Sequence, residues 1–289
     1  MQPLDLSRPS WGRYPESDYN HPNSSLIDFH RSSDLKTAAG GYEILTRHLF
    51  VPKTDSEDEA DSDEKTKKCF EQGHFYEAIA NGSEYFNSRY IVFDEAKRPN
   101  PDKDFRNSEN QKWKKELLEN AELLEKKLFL EKDARFAAVE FRSELENKFM
   151  SQMAAADQQV TAIWQESNGV KFRVRTDYTN RAGRVILDCK TTRHTTESDV
   201  KRDILKLRYP LQATMQIRGL QKTGYFPDGE TITYLWAIKS TSYPYPFFIA
   251  EFTTESQAVE LKKFFELSEW LREAKQSRKI IDKVETIKI

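Results

Sequence analysis

The sequence predicts an α+β domain, mixed toward α/β, in which a central and mostly antiparallel sheet is flanked by helices. Three observations carry this. Short runs that alternate or stay apolar at strand length crowd into residues 161–191. Stretches with apolar residues every three or four positions come before and after them. Between the last two runs, Asn180 to Gly183 supplies turn chemistry.

Composition bounds the possibilities. A chain of 289 residues allows one large domain or two modest ones. Hydrophobic residues make up 37 %, and no apolar run nears the ~18 to 20 residues of a membrane span, so no membrane association is expected. The opening MQPLDLSRPSWGRY lacks a basic region followed by an apolar core, so a secretory signal is not expected. Two cysteines, Cys69 and Cys189, are too few for a disulfide scaffold or a four-thiolate zinc site, and a reducing, cytoplasmic setting follows.

By composition the chain divides into residues 1–54, 55–66 and 67–289. The first part is irregular around Pro3, Pro9, Pro15 and Pro22, then reads as a helix over Ser32 to Leu49. Asp55 to Glu64 carries seven acids in ten residues and reads as a solvated loop. Cys69 to Ala80 reads as a helix, and Tyr90 to Asp94 as a short strand ending at the Pro99 and Pro101 loop. From Ser108 to about Met150 the spacing predicts helix, with Ser108 as N-cap and a second helix from about Lys132.

Strands are predicted over Thr161 to Gln165, Val170 to Asp177 and Arg184 to Thr191. Glu197 to Leu220 is helical with a break near Tyr209-Pro210, because a residue before proline avoids the helical region. Thr231 to Lys239 and Phe247 to Phe252 read as a second hairpin, and a late strand joining in parallel would make the sheet mixed. Ser256 to Lys275 reads as a closing helix, with Trp164, Trp236 and Trp270 as core residues.

The chemistry concentrates in Val170 to Thr192. A hairpin centred between Ala182 and Gly183 sets Asp177 opposite Asp188, and directly opposed Cβ atoms lie ~4.5 to 5.5 Å apart. Two ionised carboxylates so close repel unless a cation or a proton stands between them. Asp188 and Lys190 are two apart and share a strand face, while Val185, Leu187 and Cys189 take the other. A hard divalent cation fits two carboxylates, with the Cys189 backbone carbonyl as a further donor. On spacing alone, a surface hairpin with a Lys/Asp cluster accounts for the same residues equally well.

The R-x-D strand (Arg175, Asp177), V-I-L-D-C-K-T-T (Val185 to Thr192) and R-Y-P-L-Q-A (Arg208 to Ala213) together resemble the PD-(D/E)xK nuclease superfamily. The nearest likeness is to RecE-type, exonuclease VIII-like exonucleases. The segments Asp28 to Leu45, Glu71 to Ile79, Tyr90 to Asn100 and Asn110 to Trp113 extend the resemblance over most of the chain, in order. It implies a PD-(D/E)xK core and a Mg²⁺-dependent hydrolase, with Mn²⁺ as substitute. The activity implied is degradation of linear double-stranded DNA from its ends, supplying single strands for recombination.

It also implies that Asp177 and Asp188 ligate the metal, that Lys190 positions or activates the attacking water, and that Gln212 lies beside the site. The family's G-x-x-x-H histidine falls on Glu77, a carboxylate suited to Mg²⁺. His74 is then a packing or surface residue. Gln216 takes a tyrosine position on the Gln212 helix and joins Arg173, Arg175 and Arg193 as an expected DNA contact. Between Val170 and Lys222, 13 Lys and Arg face five acids, a basic block suited to a phosphate backbone. Expected partners are a single-strand annealing protein and further copies of the chain, in a bacterial or phage-encoded setting. The rival readings are a restriction-like or structure-specific endonuclease on the same core, and a non-catalytic DNA-binding or assembly protein with a lapsed site.

Overall fold

A five-stranded mixed sheet organises the molecule. The computed structural model describes residues 5–12, 14, 19, 25–26, 29–40, 73–80, 82–93, 97–100, 102, 106–124, 126–130, 141–149 and 153–277. The elements are β1 (Ser10–Gly12), α1 (Ser32–Ala38), α2 (73–80), α3 (Ser83–Arg89), β2 (Tyr90–Phe93), α4 (Ser108–Leu123), β3 (Lys127–Leu130), α5 (141–149), β4 (Asp157–Gln158), β5 (Thr161–Gln165) and β6 (Lys171–Arg175). There follow β7 (Tyr178–Asn180), β8 (Val185–Thr192), α6 (Glu197–Lys206), α7 (Tyr209–Lys222), β9 (Thr233–Ser240), β10 (Phe247–Glu251) and α8 (Thr254–Ser277).

The sheet order is β10-β9-β8-β7-β4. Its centre is β8, whose apolar start suits a strand covered on both faces. It pairs antiparallel with β7, Tyr178 facing Leu187 and Asn180 facing Val185, which is the register expected of the hairpin. With β9 it pairs in parallel, and α6 and α7 form the crossover that parallel strands require. The late parallel strand is therefore β9, and β9 and β10 form the second hairpin.

Two further sheets depart from the expectations. The strand expected over Val170 to Asp177 is split between sheets. β6 stops at Arg175 and pairs with β5 in a sheet ordered β1-β5-β6, whereas β7 starts at Tyr178 in the larger sheet. The crossing uses two residues, held by Thr176 N–H donating to Val160 O and Gln159 N–H donating to Asp177 O, both at 3.0 Å. Strands that switch sheets bend at such corners. The helical pattern from Ser108 also breaks early: α4 ends at Leu123 and β3 pairs in parallel with β2. A four-residue strand with only three apolar positions, Leu128 to Leu130, carries no periodicity that separates strand from helix. The cap of α4 is Asn107, whose side chain accepts from Glu109 and Asn110 N–H, and not Ser108.

Both faces of the large sheet are covered. Ile186, Tyr234, Trp236 and Ile238 pack toward α6, α7, α8 and the small sheet, while Leu187 and Ala237 pack toward Phe75, Phe141 and Leu145 of α2 and α5. α7 follows Arg208, in the left-handed region at φ 54°, and carries Pro210 in its first turn, where no N–H is needed. Gly219 lets this helix lie against β5, since a Cβ there would fall 2.6 Å from Trp164 Cζ3. Trp164 and Trp236 are core residues, but Trp270 is 38 % exposed because α8 turns that side outward. The acidic run 55–64, the end of the first expected helix and the start of the second lie outside the described residues. Among the described residues, no helix is long and apolar enough to cross a membrane.

Candidate functional site

The corner between the two sheets carries Asp177, and the adjoining strand β8 carries Asp188. The paired register ends with Tyr178 facing Leu187, one residue short of each acid, and Cys189 N–H donates to Asp177 Oδ2 at 2.7 Å. The two acids thus face each other as the turn spacing predicts. Asp188 is 1 % exposed, and Lys190 Nζ stands 2.5 Å from its Oδ2 on the same strand face. The Cys189 side chain turns the opposite way and packs against the α2 and α5 cluster, where burial pushes its thiol well above the usual range. That placement makes it an inert core thiol.

A cleft of about 270 Å³ opens over these residues, lined by Asp177, Asp188, Lys190, Gln212, Arg173 and Arg175 together with Tyr19 and Arg31. Gln212 reaches in from α7, its Nε2 donating to Asp188 Oδ1 at 3.4 Å. Arg173 and Arg175 project from one side of β6, their guanidinium carbons 5.0 and 4.8 Å from the Tyr19 ring centroid. Arg173 is 3 % exposed, and its Nε and Nη1 find no acceptor among the described residues. A buried guanidinium lining a cleft with unused donors is suited to an oxyanion.

The carboxylates are under-compensated by the chain itself. Burial, and then the charge of Asp188, push the Asp177 carboxyl up to about 8, while Lys190 and the Cys189 N–H pull the other way. Burial alone would depress the Lys190 ammonium, yet Asp188 and Asp177 outweigh it and hold its pKa above the ordinary value. Two facing carboxylates that resist shared ionisation are a donor set for a hard divalent cation, which takes one or two carboxylates and completes its shell with water. The residues present therefore fit Mg²⁺ or Mn²⁺.

The remaining expected residues divide. Glu77 lies near enough for its charge to raise the Asp177 pKa, but it pairs with His74 Nδ1 at 3.5 Å and accepts from Gln159 Nε2 at 3.4 Å. Burial opposes its ionisation, yet His74 and Arg175 hold its pKa below the ordinary value. Among the described residues, no three of His, Cys, Asp and Glu close into a metal-holding group, so Glu77 is not brought into one donor set with the aspartates. Cys189 gives its N–H to Asp177.

Gln216, expected as a DNA contact, lines the cleft with its side chain engaged by the protein. It is 2 % exposed, and its amide is spent donating to Arg175 O at 2.8 Å and accepting from Tyr234 Oη at 2.5 Å. It ties α7 to β6 and β9 at the cleft wall. Arg193 is exposed past the end of β8 and does not line the cleft, while His194 Nε2 meets Asp203 Oδ2 at 3.0 Å and pins that loop to α6. Sequence reasoning missed Tyr19, Arg31, Lys36 and Tyr209. Lys36 donates to Gln212 Oε1, and the Tyr209 ring lies against both Lys36 and Lys190. Tyr209 stood inside the R-Y-P-L-Q-A segment and Arg31 and Lys36 inside Asp28 to Leu45, which were the available signals.

Comparison with known proteins points to the same core. Residues 54–288 match the family model of a PDDEXK-like domain of unknown function. Among solved structures, a crystal structure from Eubacterium rectale described as a proposed exonuclease is similar, with a TM-score of 0.55 over 92 % of this chain and 88 % of that one. At 14 % identity this is a likeness of fold. No curated protein matches. The matched residues span the large sheet, both facing aspartates and Lys190, and the chain belongs to the family of PDDEXK-like domains of unknown function (DUF3799), within the PD-(D/E)xK nuclease superfamily.

Proposed function

We propose that the chain is a Mg²⁺-dependent deoxyribonuclease that degrades linear double-stranded DNA from its ends and leaves single strands for recombination. The observation that supports it most is the meeting of Asp177, Asp188 and Lys190 in a cleft that Arg173 and Arg175 also line. Phosphodiester hydrolysis needs an attacking water, relief of charge on the phosphate oxygens and an anchored backbone. Asp177 and Asp188 are the residues that would hold the cation, which when bound would supply Lewis-acid stabilisation of charge on the phosphate. Lys190, fully protonated beside Asp188, orients water and shares that charge. Arg173 and Arg175 take phosphate oxygens, and such contacts bind backbone without reading sequence. The family resemblance extends the reading to homo-oligomers and to a single-strand annealing protein as partner, both open to co-purification.

The test is linear duplex labelled at the 5′ or 3′ end, incubated with Mg²⁺ or with chelator, beside a covalently closed circle. Release of label from the linear duplex alone, abolished by chelator, by Asp188→Asn and by Lys190→Ala in folded protein, is expected. Cutting of the circle moves the assignment to an endonuclease. Absence of both cleavage and calorimetric Mg²⁺ or Mn²⁺ binding identifies a DNA-binding protein whose site has lapsed.

A further inference from the structure

Lys36 is 176 residues from Gln212 in sequence, yet its Nζ donates to Gln212 Oε1 at 3.0 Å. An ammonium carries donors only, so the atom that receives it must be the carboxamide oxygen. The two ends of a glutamine side chain are otherwise interchangeable in shape, and here the lysine decides between them. With the oxygen turned to Lys36, the amino group is left facing Asp188 Oδ1, 3.4 Å away. A continuous line of donors and acceptors therefore runs from α1 through α7 to the buried carboxylate of β8.

Tyr209 meets both lysines of this arrangement. It sits three residues before Gln212 on α7, hence on the same helix side. Lys36 Nζ lies 5.2 Å and Lys190 Nζ 5.4 Å from its ring centroid. A ring face attracts each ammonium at such a range and offsets their mutual repulsion. Lys36 is half-buried, and burial followed by the charge of Lys190 draws its pKa down to about 8. The placement suits a group that acts inward on the site more than one that meets solvent-side phosphate.

We infer that Lys36 is a positioning residue: by fixing the orientation of the Gln212 carboxamide, it makes that amide a donor to Asp188 and holds the carboxylate toward Asp177. This deepens the nuclease reading, and its kinetic consequences rest on that reading. The test uses the full chain as wild type, Lys36→Met, Lys36→Arg, Gln212→Ala and the Lys36→Met/Gln212→Ala double variant, with thermal unfolding by circular dichroism to verify folding. The first readout needs neither cation nor DNA. In ¹H–¹⁵N spectra, the Gln212 side-chain amide, identified by its loss in Gln212→Ala, is expected to shift and broaden in Lys36→Met and to stay near its wild-type position in Lys36→Arg. An unmoved amide in Lys36→Met overturns the inference.

The second readout is kinetic. Lys36→Met is expected to lower kcat about tenfold, with Lys36→Arg restoring most of it. KM is expected to hold within about twofold, since no uniform binding contact is removed. The double variant should then be no slower than Gln212→Ala alone, because both substitutions break one line of action. Multiplied losses would mean that Lys36 acts on substrate independently, and would overturn the inference. A wild type without cation-dependent cleavage removes the nuclease reading, and the spectrum alone then decides the positioning role.

Discussion

Replacing Asp177 by asparagine is expected to stabilise the cation-free protein at mildly alkaline pH. Burial, and then the charge of Asp188, raise this carboxyl from 3.8 to about 8 on folding. Between those values the folded chain keeps a proton that the unfolded chain has released, so protonation favours the fold and its loss opposes it. The stability tied to the group is complete below 3.8 and disappears as the pH climbs to about 8. At ~1.4 kcal/mol per unit, the shift sets a ceiling of ~6 kcal/mol. Lys190, held charged by the same carboxylates, offsets part of that, so Asp177→Asn gains stability toward pH 8 by less than the ceiling. The asparagine keeps an oxygen for the Cys189 N–H, so the corner is not broken. Urea unfolding of both proteins in chelator should show equal stability near pH 4 and a widening advantage of the variant toward pH 8. Mg²⁺ or Mn²⁺ at ~100 times its dissociation constant should then add ~2.7 kcal/mol to the wild type and far less to the variant. A variant no more stable than wild type at pH 8 in chelator, or equal stabilisation of both by the cation, would refute the reasoning.

Three further outcomes are expected. Gln216→Leu leaves Tyr234 Oη and Arg175 O without their buried partner and should cost ~1 to 3 kcal/mol of unfolding free energy by urea titration, while the salt dependence of DNA binding stays unchanged. Arg173→Met should weaken duplex binding uniformly across sequences and lower the slope of log affinity against log salt by ~1, measured by fluorescence anisotropy; an unchanged slope would remove Arg173 from the phosphate contacts. Gly219→Ala drives a methyl into Trp164 and Val174 and should cost ~1 to 3 kcal/mol by thermal unfolding, with no change in binding slope.

The hairpin was legible because its turn chemistry and its alternation agree on one register, and that register alone brings Asp177 to Asp188. The second hairpin was legible too, and so was the interruption near Pro210, although it falls at Leu207 and Arg208 and leaves Tyr209 helical. The split after Arg175 was not, because Thr176 and Asp177 continue the alternation of the strand they interrupt. Pattern specifies which face a side chain takes, not which sheet its backbone joins. β3 was hidden by its length, and its pairing with Tyr90 to Phe93 is made only in the folded chain. The Lys36 contact with Gln212 joins two helices that no local signal connects. What escaped the sequence at the site is thus the set of residues brought in by tertiary packing of α1 and α7.

The two-residue corner at Thr176 and Asp177 belongs to neither sheet, and this gives the spacing of the acids an unusual origin. One side of the corner is tied to the chain entering β5, through Val160 O and Gln159 N–H, and the other to β8 through the Cys189 N–H. The distance between the carboxylates is therefore a measure of how the small sheet is seated on the large one. Side chains that set that seating, such as Trp164 stacked on Phe172 behind β5 and β6, act as remote adjusters of the gap. A change in the packing of that aromatic pair would retune the pair of acids without touching either of them.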